Sequence, residues 1–362
     1  VSGVHLLGVG ATSLSRRSRE ARPLAREAVA AALADAGIGP GDVDGVAIAA
    51  ADAGFDRGCF DVLGEQRRAY RCRCGLGAVA LHSAWNAVSA GASEIVVCVG
   101  HDPPPEAERR PPNAEPPPPS AERPPPEIES QAAAAREYMQ YSGATETHLA
   151  RVAAKNRRHG AANPHAQLST AADSDEVLAS EMLVWPLRRL MVAAPAQGAA
   201  AIVLAHDARR QRGPKAPRIL SSVLLDEESR GGASASRAAR LGYFSAGVGP
   251  EEIDLAEIED PTPVDELSAY EDLELAPEGS GPELVDSGFT ALGGVVPVNA
   301  SGGCLSQGHA RGAGGILQLV ELSLQLRDRA GTRQVPGARI GLSLAGSATT
   351  PGKVTALTIL GS

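Results

Sequence analysis

The sequence predicts an α/β protein of two related halves, each a parallel-type sheet covered by helices. Three observations carry that expectation. Apolar, β-branched runs alternate with helical patterns along the chain. The element order of the first half recurs in the second, although no sharp sequence repeat accompanies it. The composition, with 40 Gly and only 3% aromatic residues, calls for a core of Ala, Val, Leu and Ile in which helix and sheet pack closely. At 362 residues and 43% hydrophobic content the chain can bury such a core, and no apolar run approaches the ~20 residues of a membrane span.

Val4 to Val9 reads as a strand, and Arg22 to Ala36 has helical spacing that stops at Gly37, a suitable C-terminal cap. Val43 to Ala49 is a second strand, Gly75 to Ala90 an Ala-rich helix, and Glu94 to Val99 a third strand. Half of the residues from Pro103 to Pro126 are Pro, so this stretch forms neither helix nor central strand. It is expected to be an extended surface loop, either a tolerated insertion or a cover over a nearby site. Helices follow at Ser130 to Tyr141 and Glu146 to Arg158, then a small-residue strand from Gly198 to Ala205 and a linker containing Arg209 to Pro217. In the second half, strands are expected at Arg218 to Leu224 and Asp254 to Glu259, and helices at Val264 to Leu273 and Gly312 to Leu326. Ile340 to Leu344 and Val354 to Leu360 form a closing strand pair. The N-terminal half is drawn at 1–208, with loop 103–126 and a loop and helical insertion to about 190, and the C-terminal half at 216–362.

A formal charge of −9, with basic residues scattered and no stripe of them, argues against nucleic-acid binding. Five cysteines (Cys59, Cys72, Cys74, Cys98 and Cys304) and no basic-then-apolar leader point to a reducing, cytoplasmic compartment. The scarcity of rings argues for a small-residue substrate channel and against a stacking pocket.

Two segments could carry chemistry. In Tyr70-Arg71-Cys72-Arg73-Cys74-Gly75-Leu76-Gly77-Ala78 a loop leads into a helix, and a thiol at a helix N-terminus meets unpaired N–H groups that favour thiolate. Arg71 and Arg73 would add to this, and Cys74 is the rival nucleophile. In the segment Asn299 to Ala313, paired glycines and Gly308-His309 set an imidazole in a loop before a helix, where it can serve as base for a thiol.

These segments resemble the thiolase superfamily. Cys72-x-x-Gly75-Leu76-x-Ala78 looks like its nucleophile segment, and Asn299 to Ala313 like its Gly-His-Pro-x-Gly segment; Asn163-Pro164-His165-Ala166-Gln167, Asp175-Glu176-Val177 and Gly198-Ala199-Ala200-Ala201 fit the same order. Glu257-Ile258-Glu259-Asp260, with Glu266-Leu267 and Tyr270, is most similar to the sterol-carrier-protein-linked thiolases and the lipid-transfer-like proteins related to them. The resemblance implies a thiolase-like αβαβα layered fold, a homodimer, and no permanent cofactor or metal. It implies a substrate that is a thioester of coenzyme A or of a phosphopantetheine carrier protein. Cys72 would take the acyl group, His309 would activate the thiol, and Gly346, Gly303 and Asn299 would bind oxyanion or substrate.

Two departures matter. Glu259 stands where thiolases carry an Asn or His that donates to the enolate oxygen, and a carboxylate there opposes a developing enolate. Leu344-Ala345-Gly346 lacks the cysteine of the Cys-x-Gly segment. Three functions remain: acyl transfer through a Cys72, His309 and Glu259 triad without thiolysis; retro-aldol cleavage of a β-hydroxyacyl thioester beside a small OB-fold partner, with Glu259 or Asp260 as base; and a non-catalytic thiolase-like subunit. Tyr70 and Tyr270 are worth following for the second. Cys72-x-Cys74 lacks a second pair at zinc spacing, and Gly8-x-Gly10 lacks the full dinucleotide fingerprint. His159 and His165 read as surface or loop residues, and His101 as a supporting residue near the site.

Overall fold

The computed structural model describes residues 3–16, 19–49, 53–72, 75–102, 125–207, 216–226, 234–346 and 354–362. Most of the Pro-rich loop 103–126, with Arg73 and Cys74, lies outside them.

In chain order the elements are β1 (Val4–Ala11), α1 (Ala21–Ala36), β2 (Gly45–Ala49), α2 (Ala53–Leu63), β3 (Arg68–Cys72), α3 (Gly77–Ser89) and β4 (Ile95–His101). Then come α4 (Pro126–Ser142), α5 (Glu146–Ala161), α6 (Ser174–Ala179), the short β5 (Met182–Val184) and β6 (Leu187–Arg188), and β7 (Ala199–His206). The second half holds β8 (Arg218–Asp226), α7 (Ser234–Ala246), β9 (Leu255–Ile258), α8 (Pro263–Asp272), α9 (Gly281–Asp286), α10 (Gly303–Gln307), α11 (Arg311–Leu326), β10 (Ile340–Ala345) and β11 (Val354–Gly361).

Nine strands run in the order β3-β2-β4-β7-β1-β8-β11-β10-β9, joined at the middle by a short β1–β8 pairing, Val4 with Ile219 and His5 with Arg218. Outward from that seam both halves use the same plan. Two antiparallel neighbours, β1/β7 and β8/β11, are followed by an antiparallel step to β4 or β10 and then by a parallel step to β2 or β9. Helices α3 and α11 lie between the two half-sheets, while α1 and α2 cover the outer face of the first and α7 and α8 that of the second. This is the αβαβα layering that the resemblance implies, but the sheet is mixed, with the antiparallel steps β1/β7, β7/β4, β8/β11 and β11/β10 where the alternation of elements called for a parallel one.

The repeat is sharper than the element order suggested. Ala36-Gly37-Ile38-Gly39-Pro40 recurs as Ala246-Gly247-Val248-Gly249-Pro250, and Asp42-Val43-Asp44 as Glu252-Ile253-Asp254. The equivalent residues do equivalent work. Gly37 and Gly247 end α1 and α7 in the left-handed conformation, at φ 68° and 72°. One oxygen of Asp44 accepts the Glu94 and Ile95 N–H groups at the start of β4, and one oxygen of Asp254 accepts those of Arg339 and Ile340 at the start of β10.

Three local expectations change. Residues 68–72 form an edge strand paired in parallel with β2, and the following helix begins at Gly77. Cys72 therefore ends a strand, four residues before the helix cap Leu76, and the argument for a thiolate at a helix start does not apply to it. Arg71 is paired with Asp56 at 2.5 Å. His159 is buried, not at the surface: its Nδ1 meets the Asn299 carbonyl at 2.9 Å and its Nε2 accepts the Leu292 N–H, while burial and the Lys155 charge push its pKa down to about 3. Finally, α2 and α7 were not foreseen.

Layer contacts are close enough to need missing side chains. A Cβ on Gly312 would lie 2.2 Å from the His101 carbonyl oxygen, so α11 touches the end of β4 backbone to backbone. Gly314, two residues on, faces open space. Gly312→Ala is expected to lower stability by about 1–3 kcal/mol through overpacking, whereas Gly314→Ala is expected to be neutral or to add about 0.5–1 kcal/mol of helix propensity. Urea unfolding of the two variants separates these outcomes.

Candidate active site

The carboxyl ends of the parallel pair β9/β10 meet the N-terminus of α11 at a cavity of about 790 Å³ of empty space, its open mouth included. Its lining includes Leu76, Val79, Glu259, Gly303, Cys304, His309, Arg311, Leu317, Gln318, Gly346 and Ala356. Carboxyl ends of parallel strands are where ligands bind in α/β sheets, since loops there can diverge without disturbing the ladder.

His309 is positioned by its main chain. Its N–H donates to the Ala194 carbonyl at 2.8 Å, and its carbonyl accepts from Ala196 N, which ties the loop to residues 194–196 of the first half. Gly308 makes that possible at φ 96°, where a Cβ would sit 2.5 Å from the Ala196 methyl. Two residues beyond His309, α11 starts on a carboxylate: Asp102 accepts the Gly312 and Ala313 N–H groups, each at 2.8 Å. Two of the helix's unpaired N–H groups are thereby satisfied from the end of β4. Asp102 was not singled out from sequence, yet an acid directly after an apolar strand, in Gly100-His101-Asp102, was the available signal. Burial raises its pKa to about 6, partly offset by the Gly312 and Ala313 N–H groups.

Glu259 follows β9 and extends its ladder by donating N–H to the Leu344 carbonyl. Its Oε1 lies 2.9 Å from His309 Nε2, and its Oε2 accepts the Gly346 N–H at 2.7 Å. Burial acts against both charges, but each outweighs that cost for the other. His309 rises above its ordinary pKa because the Glu259 hydrogen bond and charge, with the Asp102 charge, overcome desolvation. Glu259 falls below its own because the His309 hydrogen bond and charge and the Gly346 N–H do the same. Both shifts favour the imidazolium–carboxylate form of the pair. Gly346 thus serves the carboxylate, which corrects the expectation that its N–H is open to an oxyanion.

The other expected residues divide. Gly303 lines the cavity. Asn299 does not: its Nδ2 donates to Glu266, its Oδ1 accepts from Ile258 N, and it is fully buried in the framework behind the wall. That framework also holds Lys155 against Glu266 at 2.5 Å, and Asn156 bridging Asp260 and Glu266. Tyr270 donates to Glu266 there as well. Asp260, buried and also taking the Cys304 N–H, is committed to it. Cys72 is buried, with its sulfur 3.7 Å from the Leu76 carbonyl; Leu76 is a cavity residue and Cys72 is not. Cys304 does line the cavity, but burial and the Asp260 and Glu259 charges push its thiol well up, so it stays protonated.

Residues 223–361 match the family described as Thiolase C-terminal domain-like. Human sterol carrier protein 2 is 32% identical, over 94% of this chain and 69% of that protein. The chain belongs to the thiolase superfamily, in its sterol-carrier-protein-linked branch. An acetyl-CoA acetyltransferase of Methanothermobacter thermautotrophicus is 31% identical over 89% of this chain and 90% of its own. The match to bovine sterol carrier protein 2 covers 41% of that protein's length. Among solved structures, the Ltp2-ChsH2(DUF35) aldolase superposes with a TM-score of 0.85 at 25% identity, covering 99% of this chain and 98% of that one. No described helix is long and apolar enough to cross a membrane.

The pair makes a pH prediction with a definite sign. His309, raised above 6.5, contributes stability that is complete below that value and is lost as pH rises through its folded pKa. Glu259, lowered from 4.5, contributes above that value and loses its contribution as pH falls through its folded pKa. Glu259→Gln is expected to drop the His309 pKa below 6.5, because burial is then less opposed. Histidine ring NMR titration reads this directly, and an unchanged His309 titration would refute the pairing.

Proposed function

We propose that this thiolase-superfamily enzyme cleaves the carbon–carbon bond of a β-hydroxyacyl thioester by a retro-aldol reaction. The observation that carries the proposal is the hydrogen-bonded His309–Glu259 pair on the cavity lining, in which each partner favours the charged form of the other. Thiol activation by His309 as base needs a neutral imidazole, whereas a retro-aldol step uses an acid and a carboxylate together. In the proposed step Glu259 takes the β-hydroxyl proton, the bond between the α and β carbons breaks to release an aldehyde or ketone, and its electron pair becomes the thioester enolate. His309 donates to the enolate oxygen, and the proton held by Glu259 passes to the α carbon. Each Glu259 oxygen already accepts one hydrogen bond and keeps a second lone-pair direction for this role. The lowered pKa keeps Glu259 ionised but makes it a weak base, so stabilisation of the enolate by the imidazolium has to supply much of the rate. A protonated His309 beside it also answers the objection that a carboxylate repels an enolate.

The likeness to the Ltp2-ChsH2(DUF35) aldolase supports this reading; the partner in this proposal is a small OB-fold protein. The substrate is a thioester of coenzyme A or of a carrier protein, and the assembly is built on a homodimer in the cytoplasm. Acyl transfer through Cys72 is the second reading; the acetyl-CoA acetyltransferase match over nearly the whole chain favours it.

β-Hydroxyacyl thioesters incubated with the protein are expected to release aldehyde or ketone. Cys72→Ala is expected to retain that activity, and Glu259→Gln to lose about 10²–10⁴-fold in kcat. An acyl adduct, seen by intact mass and abolished by Cys72→Ala, without carbonyl release, would overturn the proposal in favour of acyl transfer.

A further inference from the structure

We propose that the side-chain carbonyl of Gln318 accepts a hydrogen bond from a hydroxyl on the acyl chain of the substrate, so that the cavity selects a hydroxylated acyl group over a plain hydrocarbon. The assignment rests on this cavity being the acyl-thioester site proposed above. Gln318 lies on α11, seven residues after Arg311 at the helix start, or about 10 Å along the axis at ~1.5 Å per residue. Its amide reaches the Leu344 carbonyl that also accepts the Glu259 N–H, so Gln318 and the proposed base are held to the same point of β10. Gln318 is 8% exposed and lines the cavity.

The orientation of its amide follows from chemistry. One end lies 3.1 Å from the Leu344 carbonyl oxygen, which can only accept, so that end is the NH₂. The other end, Oε1, is then an acceptor, buried and without a hydrogen-bond partner among the described residues. An unpaired amide oxygen in such a place is costly and rare, and a ligand donor removes the cost. Val79, Leu317 and Ala356 on the same lining suit hydrocarbon on either side of that donor. Glu257, also on the lining, already accepts the Ser301 N–H and hydroxyl, one on each oxygen, whereas the Gln318 Oε1 accepts nothing among the described residues.

Coenzyme A thioethers, in which a methylene replaces the thioester carbonyl, test this by binding alone. Matched acyl chains with a hydroxyl at successive positions are compared with their deoxy partners by calorimetry. Wild type is expected to bind at least one hydroxylated chain tenfold or more tightly than its deoxy partner, and Gln318→Met, similar in length, to lose that preference while binding the deoxy chain undiminished. Equal binding of every pair by wild type would overturn the proposal, and this comparison stands even where the Met variant melts early. Equal weakening of all thioethers by Gln318→Met would place the contact on the pantetheine arm and overturn the acyl assignment. Discrimination by wild type without cleavage of any β-hydroxyacyl thioester would refute the retro-aldol reading and leave the Gln318 contact standing.

Discussion

The start of α11 is fixed by the Asp102 carboxylate, which reaches across from the end of β4 to hold the N–H groups of Gly312 and Ala313. Much else depends on this bond pair. It joins the two halves at the layer where their central helices meet, and it sets the depth at which α11 abuts β4 through Gly312. It also places a second carboxylate near His309, two residues upstream. A helix N-terminus already favours negative charge, so the helix start and the His309 ring draw on the same carboxylate. With the main-chain clamp on residues 194–196, His309 has little freedom of its own.

Behind the cavity wall, the charged groups form a framework of fixed bonds. Lys155, Glu266, Asn156, Asp260, Asn299 and Tyr270 share hydrogen bonds among α5, α8 and the loop before α10. Buried charges persist only when paired and hydrogen-bonded, and here nearly every donor finds a carboxylate or carbonyl. The division of labour is clear from the partners. Groups bonded to one another behind the wall hold the loops, while Glu259 and His309, bonded to each other, face the space where a ligand would lie.

Much of this was legible in the sequence. Helix α1 could be read with its stop at Gly37, because apolar spacing and a left-handed glycine are local signals. The same holds for β4, α11 and the His309 and Glu259 segments. Strand β3 was hidden because Arg68-Ala69-Tyr70-Arg71 is an edge strand with exposed residues, so its polarity resembles a loop. Helix α7 was hidden by a mixed composition of Ser, Ala and Arg. Asn299 was misplaced for a different reason. Its segment does border the cavity, but at φ 55° its side chain turns back into the framework, a direction that spacing along the chain does not encode. Asp102 needed the three-dimensional meeting of residues more than 200 apart.

The glycine contacts also divide the cavity into a rigid wall and an adaptable one. Where α11 meets β4 and α3 the spacing is set by glycine, with Gly312 against the His101 carbonyl and Gly315 against Ala78. The facing wall, at Val354 and Ala356 of β11, is made of side chains. Divergence among relatives in the size of group they admit, and any redesign of this site for a bulkier substrate, has therefore to proceed through the lining side chains, Val79, Leu317, Val354 and Ala356, and not through the helix spacing that the glycines fix.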